Sequence, residues 1–370
     1  MASSRSLSLG ALLCAAAGLI LLLAGAASGG GVDVGDMLML DRFRAWQAAF
    51  NRTYATPEER LRRFEVYRRN MERIEATNRL GLSYRLGETP FTDLTADEFR
   101  ATRTMPRGMT MADAVRRRRQ LITTRAGPVG GGGGWVSRNW SLSRDDLPES
   151  VDWRAQGAVT PAKDQHTCGS CWTFATVAAI EGLHQIVTGE LVSLSEQELL
   201  DCDNIPPNDG CNGGIPGFAM EWVATNGGLA TEADYPYTQV EGECKLDKTT
   251  PNRAAKIAGC ELVPPVEAAL QAAVAQQPVA VVINATLLDN NYVGGVIAHG
   301  APCDPTDTDH AVTVVGYGAE PAGDGGRKYW IVKNSWSEGW GDKGFFLLER
   351  DVGAVGGMCG IATLPFYPVM

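Results

Sequence analysis

Cys168-Gly169-Ser170-Cys171-Trp172 decides how the rest of this chain is read. Two cysteines sit three apart around a Gly-Ser pair, and an aromatic residue and a long apolar run follow at once. The spacing over 171–187 predicts an amphipathic to fully apolar helix that ends near Gly189. Cys171 then opens that helix, where free N–H groups and the helix dipole favour a thiolate. A nucleophilic cysteine needs a base and a group to orient that base, and a His followed by an Asn further along the chain would supply them. His310 follows by 139 residues, in Asp309-His310-Ala311, and Asn334 by a further 24, in Asn334-Ser335-Trp336.

A cysteine that opens a peptide bond needs a thiolate, an acid for the leaving amine, an orienter for that acid and oxyanion donors. Cys171 and His310 supply the first two. Asn334 can hold the imidazole without neutralising the imidazolium that pairs with the thiolate. Gln165, six residues before Cys171, offers an amide to join the Cys171 backbone N–H at an oxyanion. Each residue also has a plain structural reading: a buried thiol or disulfide half, a core histidine, a turn asparagine. His166, His184 and His299 are rival histidines. The order and spacing of the set favour the chemical reading. Zinc competes for the Cys168/Cys171 spacing, but no second such pair exists and the four histidines are scattered, so neither metal nor cofactor is expected.

The chain has 370 residues, enough for two or three packed units, and is 44% hydrophobic and 21% charged, as soluble globular proteins are. Met1 to about Ala27 predicts a secretory signal: Arg5, the apolar stretch Leu9–Ala24, then small residues to Ala27. A membrane anchor is the alternative, and no later stretch is long enough to span a bilayer. Phe366-Tyr367-Pro368-Val369-Met370 carries no retention tetrapeptide. Cys14 leaves with the signal, and the other eight cysteines lie between Cys168 and Cys359. With Cys171 kept reduced, seven remain, so three disulfides and one spare thiol are expected in an oxidising compartment. Residues 1–146 hold 22 Arg and 15 acidic residues (net +7), and residues 147–370 hold 11 basic and 28 acidic residues (net −17). The halves are either two solvated surfaces or a complementary pair that separates when carboxylates protonate. Nucleic acid is not an expected partner, because the basic excess precedes a cleavage point.

Residues 36–100 read as helical. Thr56-Pro57-Glu58-Glu59 is a helix start with Thr56 as cap and Glu59 reaching back. Glu59, Arg63, Tyr67, Asn70, Ile74 and Asn78 then share one face. That face is either tied by hydrogen bonds to its own domain or exposed with a Glu59–Arg63 ion pair. Residues 101–146, with Arg116–Arg119 and Gly130–Gly134, read as a linker. Ser195-Glu196-Gln197-Glu198 reads as a second capping box. Strands are predicted at Val279–Ile283, Ala311–Tyr317, Lys328–Lys333 and Gly344–Leu348, so the fold class is α+β with segregated halves.

Gln165–Trp172, Cys211-Asn212-Gly213-Gly214, Asp309-His310-Ala311, Asn334-Ser335-Trp336 and Tyr367-Pro368-Val369 together resemble the papain family of cysteine proteases, most closely its cathepsin L-like plant members. The helix stripe resembles the family's inhibitory propeptide motif, with Tyr67 where Phe is usual. Gly87, Thr89, Phe91 and Asp93 resemble the second propeptide motif, with Thr89 where Asn is usual. The resemblance implies a signal peptide at 1–27, an inhibitory propeptide at 28–146 and a peptidase domain at 147–370. That domain would have a helical lobe carrying Cys171 and a β-barrel lobe carrying His310 and Asn334. It implies a cysteine endopeptidase made as a zymogen and acting through a thioester, with a catalytically weak binding or inhibitory homologue as the alternative. It implies disulfides Cys168–Cys211, Cys202–Cys244 and Cys303–Cys359, with Cys260 left as a buried thiol.

The resemblance places Ile215, Pro216, Val282, Thr308, Ala311 and Leu364 around the main specificity pocket. Leu364 at its floor implies preference for Val or Leu over Arg at the residue before the cleaved one. Gly213 and Gly214 would pair with substrate backbone, and Asp309 and Trp336 would border the cleft. Expected partners are protein and peptide substrates, the chain's own propeptide and cystatin-type inhibitors, met by a monomer in the vacuole, lysosome or extracellular space. Three departures stand out. His166 occupies a usual glycine position, where a positive φ would strain it and displace Gln165. Ser337 also replaces glycine, and Asp289-Asn290-Asn291-Tyr292 lacks the aromatic that normally precedes the Tyr. Asn51, Asn139 and Asn284 begin glycosylation sequons.

Overall fold

Pro57 opens a 22-residue helix whose apolar residues Phe64, Tyr67, Met71 and Ile74 recur on one buried side. This is α2 (Pro57–Asn78) in a computed structural model that describes residues 34–105, 147–245, 253–298, 300, 303–324 and 326–370. The signal segment, the Arg116–Arg119 and Gly130–Gly134 runs, Asn139 and His299 lie outside the described residues. Residues up to Thr56 form one compact unit and Pro57–Met370 another. The first contains helix α1 (Val34–Ala49), on which Phe43 stacks against Trp46 at 5.7 Å and Tyr54 at 6.2 Å. Asn51 follows it, exposed and left-handed with φ 49°.

In the larger unit, the polar stripe on α2 is tied to its own domain. Asn70 donates to the carbonyls of Thr92 and Leu94, Arg63 to that of Asp93, and Asn78 both donates to and accepts from Leu86. The Glu59–Arg63 pair forms as well. The expectation of continuous helix over 36–100 is corrected: residues 79–95 hold turns and strand β1 (Tyr84–Leu86), and helix resumes only at α3 (Ala96–Arg103). Thr95 caps α3 in a closed capping box with Glu98. Helix and an ordered turn therefore continue through residues 101–105, where a linker was expected.

The Glu59–Glu98 region makes the propeptide helices acid-sensitive. Arg63 and then Arg62 hold the Glu59 carboxyl below its usual range. At Glu98 burial opposes ionisation, but the Thr95 N–H and Arg63 outweigh it and also lower the pKa. A depressed carboxyl contributes stability above its unfolded pKa of about 4.3 and loses it as pH falls. Hydrogen exchange over residues 57–103 of the intact zymogen, corrected for intrinsic rates, is expected to rise below that pH. Glu98→Gln is expected to flatten that acid limb, and an unchanged limb would contradict the assignment.

Beyond residue 147 the chain builds β2 (Val151–Asp152), α4 (Cys171–Thr188), α5 (Glu196–Cys202), α6 (Pro216–Asn226), β3 (Gly259–Leu262), α7 (Glu267–Val274), β4 (Val279–Ile283), β5 (Tyr292–Ile297), β6 (His310–Ala319), β7 (Lys328–Lys333), β8 (Phe345–Glu349) and β9 (Phe366–Val369). Helix α4 is buried on every side from Cys171 to His184, as its continuous apolar composition requires. Gly189 ends it in the left-handed conformation. Ser195 caps α5, but the second half of the expected box is missing. The Glu198 side chain turns instead to Asn226, the Ala230 N–H and Arg253.

The strands form one sheet in the order β1-β5-β8-β7-β6-β4-β9-β3, with β2 on β6. The hydrogen-bonded path runs from β1 to β3 and mixes antiparallel pairs with the parallel pair β5–β8. The fold is α+β and two-lobed as predicted: α4 packs across β6, β4 and β9, and on its other side against α6. The propeptide is part of the sheet, because β1 pairs antiparallel with β5. Gly295 permits this; a Cβ there would lie 2.4 Å from the Ser83 carbonyl.

Candidate active site

Cys171 is the first residue of α4 and is fully buried. Its register follows from Cys168, which is bonded to Cys211 and so cannot serve zinc as a thiolate. Gly169 lets the two segments meet: a Cβ there would lie 2.3 Å from the Cys211 carbonyl. His310 is the first residue of β6, paired with Ile283 of β4. The next residue, Ala311, donates its N–H to Cys171 Sγ at 3.3 Å and brings the helix and the strand together.

Asn334 follows β7, and its Oδ1 lies 2.7 Å from His310 Nε2. The same oxygen accepts the Ser335 N–H at 2.8 Å. An oxygen facing Nε2 requires the proton on Nε2, which leaves Nδ1 with the lone pair. Nδ1 is buried with no hydrogen-bond partner. Trp336 stacks on the imidazole at 4.7 Å and is itself packed edge-on by Phe99 and Trp340.

Burial dominates both titrating groups. It pushes the Cys171 thiol up to about 12, against the help of the Ala311 N–H, and the Asp309 carboxylate adds to the rise. It pushes His310 down to about 4, against the Asn334 bond. In this covered state the pair is a neutral thiol and a neutral imidazole.

The cover is the segment Arg103–Met105, at the end of α3. The Arg103 carbonyl accepts from Gln165 Nε2 at 3.3 Å and Trp336 Nε1 at 3.2 Å. The Met105 N–H donates to the Asp309 carbonyl at 2.7 Å, and the Gly214 N–H meets Met105 Sδ at 3.4 Å. Met105 shares one buried cluster with Ile215, Val282, Ala311 and Leu364. Asp309 meets Met105 through its backbone carbonyl, while its carboxylate turns inward to the Ala285 N–H at 2.7 Å.

His166 has φ +53° and Ser337 φ +67°, the left-handed conformation that glycine would adopt without strain. Gln165 is nonetheless held in place. Its N–H donates to the Ser335 carbonyl, its Oε1 accepts from the Ser335 hydroxyl at 2.7 Å, and its Nε2 also donates to the Cys168 carbonyl. Strain of about 1–2 kcal/mol at His166 is therefore absorbed without displacing the amide.

The cystines Cys202–Cys244 and Cys303–Cys359 form as the resemblance implied. Cys260 is half-buried rather than buried, with its thiol on the Gly217 carbonyl at 3.3 Å. Asn284 is corrected as a glycosylation candidate: it is 2% exposed, and its Nδ2, the atom a glycan would need, donates to the Asp307 carbonyl. Sequence reasoning missed Met105, Ser335 and the Thr95 box. Thr95-Ala96-Asp97-Glu98 is a readable capping signal, whereas nothing local marks Met105.

Residues 147–369 match the profile of the papain family cysteine proteases, and residues 43–99 match the cathepsin propeptide inhibitor domain I29. The chain belongs to the papain family and is a cysteine-type peptidase made with an inhibitory propeptide. It is 42% identical over 334 residues to the senescence-specific cysteine protease SAG39 of Oryza sativa subsp. indica, spanning 90% of this chain and 91% of that one. It is 41% identical over 331 residues to the cysteine protease XCP2 of Arabidopsis thaliana, spanning 89% and 86%. Among solved structures, a recombinant stem bromelain precursor superposes with a TM-score of 0.75 at 36% identity, over 90% of this chain and 99% of that chain. The proform of the ragweed pollen allergen Amb a 11, a cysteine protease, gives 0.71 at 36% identity, over 90% and 94%.

Proposed function

We propose that the processed enzyme is an endopeptidase in which Cys171 is the nucleophile and His310 the acid and base. Once uncovered, Cys171 passes its proton to His310 Nδ1. The thiolate then forms an S–C bond to the scissile carbonyl, His310 protonates the departing amine, and the acyl group remains as a thioester. Water, deprotonated by His310, hydrolyses that thioester and returns the thiol. Asn334 orients the imidazole, and Gln165 with the Cys171 N–H stabilises the oxyanion. The single observation that carries this reading is the Arg103 carbonyl bonded to Gln165 beside Cys171, a backbone carbonyl where the scissile one would sit.

Met105 supports the pocket assignment, because its unbranched apolar side chain lies against Gly213 and Gly214 and belongs to the same buried core as Ile215, Val282, Ala311 and Leu364. The predicted pocket residues Ile215, Pro216, Val282, Thr308, Ala311 and Leu364 include no charged side chain. Val or Leu at the residue before the cleaved one is therefore expected to exceed Arg by about tenfold or more in kcat/KM. A peptide library checks this, and Arg favoured there would refute it. One equivalent of a thiol-directed epoxide is expected to stop hydrolysis, while Cys171→Ala takes up none at the site and cleaves nothing. Epoxide-insensitive cleavage would refute the mechanism. The same reading assigns residues 1–27 to the signal, 28–146 to the propeptide and 147–370 to the enzyme, acting in the vacuole or outside the cell. Among the described residues no helix is long and apolar enough to cross a membrane.

A further inference from the structure

Arg103 fixes a direction in the cleft. Its carbonyl lies between Gln165 and Trp336, and Met105, two residues on, lies against Gly213 and Gly214 on the acyl side. A productive substrate runs from that side, past the scissile carbonyl, towards Trp336. The propeptide therefore runs the opposite way, and its Arg103 side chain lies on the leaving-group side. That side chain is 9% exposed. Its guanidinium covers the Phe91 ring at 4.5 Å, and its Nη1 donates to Asp164 Oδ1.

Asp164 belongs to the peptidase domain and immediately precedes Gln165. It is bridged backbone-to-backbone to Trp336, which fixes it at the rim of the leaving-group side. Its Oδ1 also accepts the His166 N–H at 2.8 Å, and its Oδ2 is 3.5 Å from His166 Nδ1. When the propeptide leaves, it takes both the guanidinium and the Phe91 ring with it. The Asp164 carboxylate, one residue from the oxyanion glutamine, then faces the path of the leaving segment.

We propose that Asp164 is a specificity-determining residue that takes an Arg or Lys side chain placed just after the scissile bond. Arg103 occupies that subsite in the zymogen. The proposal rests on the cysteine-peptidase reading above. A charge-assisted contact of a guanidinium in this half-buried site is expected to give a fivefold to tenfold preference, less than a fully buried charged hydrogen bond gives because solvent screens it.

The test uses processed wild-type enzyme and internally quenched peptides with Val in the acyl-side pocket. The two positions after the scissile bond carry Arg, Gln or Glu. The Arg-to-Gln ratio of kcat/KM is expected to be about five or more, Glu is expected to be slowest, and added salt is expected to shrink the ratio. Asp164→Asn, which keeps an oxygen for the His166 N–H, is expected to bring the ratio to about one. Because a ratio is read, a general loss of activity in the variant does not mimic the result. Equal cleavage of all three peptides by the wild type overturns the proposal without any variant. So does an Arg preference that survives in Asp164→Asn. If no peptide is cleaved at all, the underlying catalytic reading falls first.

Discussion

Removing the propeptide raises the rate at which iodoacetamide alkylates Cys171 near neutral pH by more than about a thousandfold. In the zymogen the thiol is fully buried and burial pushes it up to about 12. A thiol titrating there is ionised to only about one part in 100,000 near pH 7, and the thiolate is the reactive form. Steric cover by Arg103 and Met105 slows attack further. The pH profiles carry the signature. Zymogen labelling rises about tenfold per pH unit through the alkaline range, and labelling of the processed enzyme is already flat in mild acid. Cys171→Ala supplies the background from the half-buried Cys260. Equal rates for both forms would show that the thiol is not suppressed by the cover.

This pair alone does not make activation acid-dependent. Covered, it holds one proton on sulfur; uncovered near neutrality, it holds one proton on His310. The proton count is the same, so release has no slope with pH from this source. A slope appears where the proton counts part: in alkali the uncovered imidazolium releases its proton while the covered thiol keeps its own up to about 12. In acid the sensitivity comes instead from the depressed carboxyls of Glu59 and Glu98, each of which loses its contribution as pH falls.

The parts of the fold legible in the sequence are those whose signal is local. The α4 run, the four late strands and the polar stripe of α2 read correctly because each repeats over many residues with one period. The Cys168 string and its downstream His and Asn were readable because chemistry restricts the residue types. Residues 79–95 were misread because their partners are distant. Thr89 is fixed by the Asn290 carbonyl, Asn291 reaches Thr92, and β1 exists only because β5 accepts it. Met105 and Asp164 were missed for the same reason: the first is held by Asp309 and Gly214, the second by Trp336 and Arg103. The strain at His166 was legible as a departure from glycine. Its harmlessness was not, because Ser335 secures Gln165 from 170 residues away.

Arg73→Ala weakens inhibition by the propeptide by about tenfold to thirtyfold, or about 1.5–2 kcal/mol. Arg73 lies on α2 and makes a bidentate pair with the Asp289 carboxylate, and it also reaches the Asn291 side chain at 2.8 Å. Around it, Asn290 donates to the Phe91 and Leu94 carbonyls, and the Gly87 N–H donates to the Asn291 carbonyl. The Asp289–Asn291 loop, which lacks the usual aromatic, thus holds the propeptide with polar groups instead. Arg73 is 39% exposed and Asp289 26%, so solvent screening keeps the effect below that of a buried pair. The measurement is the inhibition constant of the propeptide added in trans to processed enzyme. Asp289→Asn is expected to cost about as much, and the double variant little more than either, which isolates the pair. Exposed Arg79 is the control for the alternative that bulk charge, +7 against −17, holds the complex. If Arg79→Ala weakened inhibition as much as Arg73→Ala, and salt abolished both effects alike, the long-range field rather than this contact would be the inhibitory device.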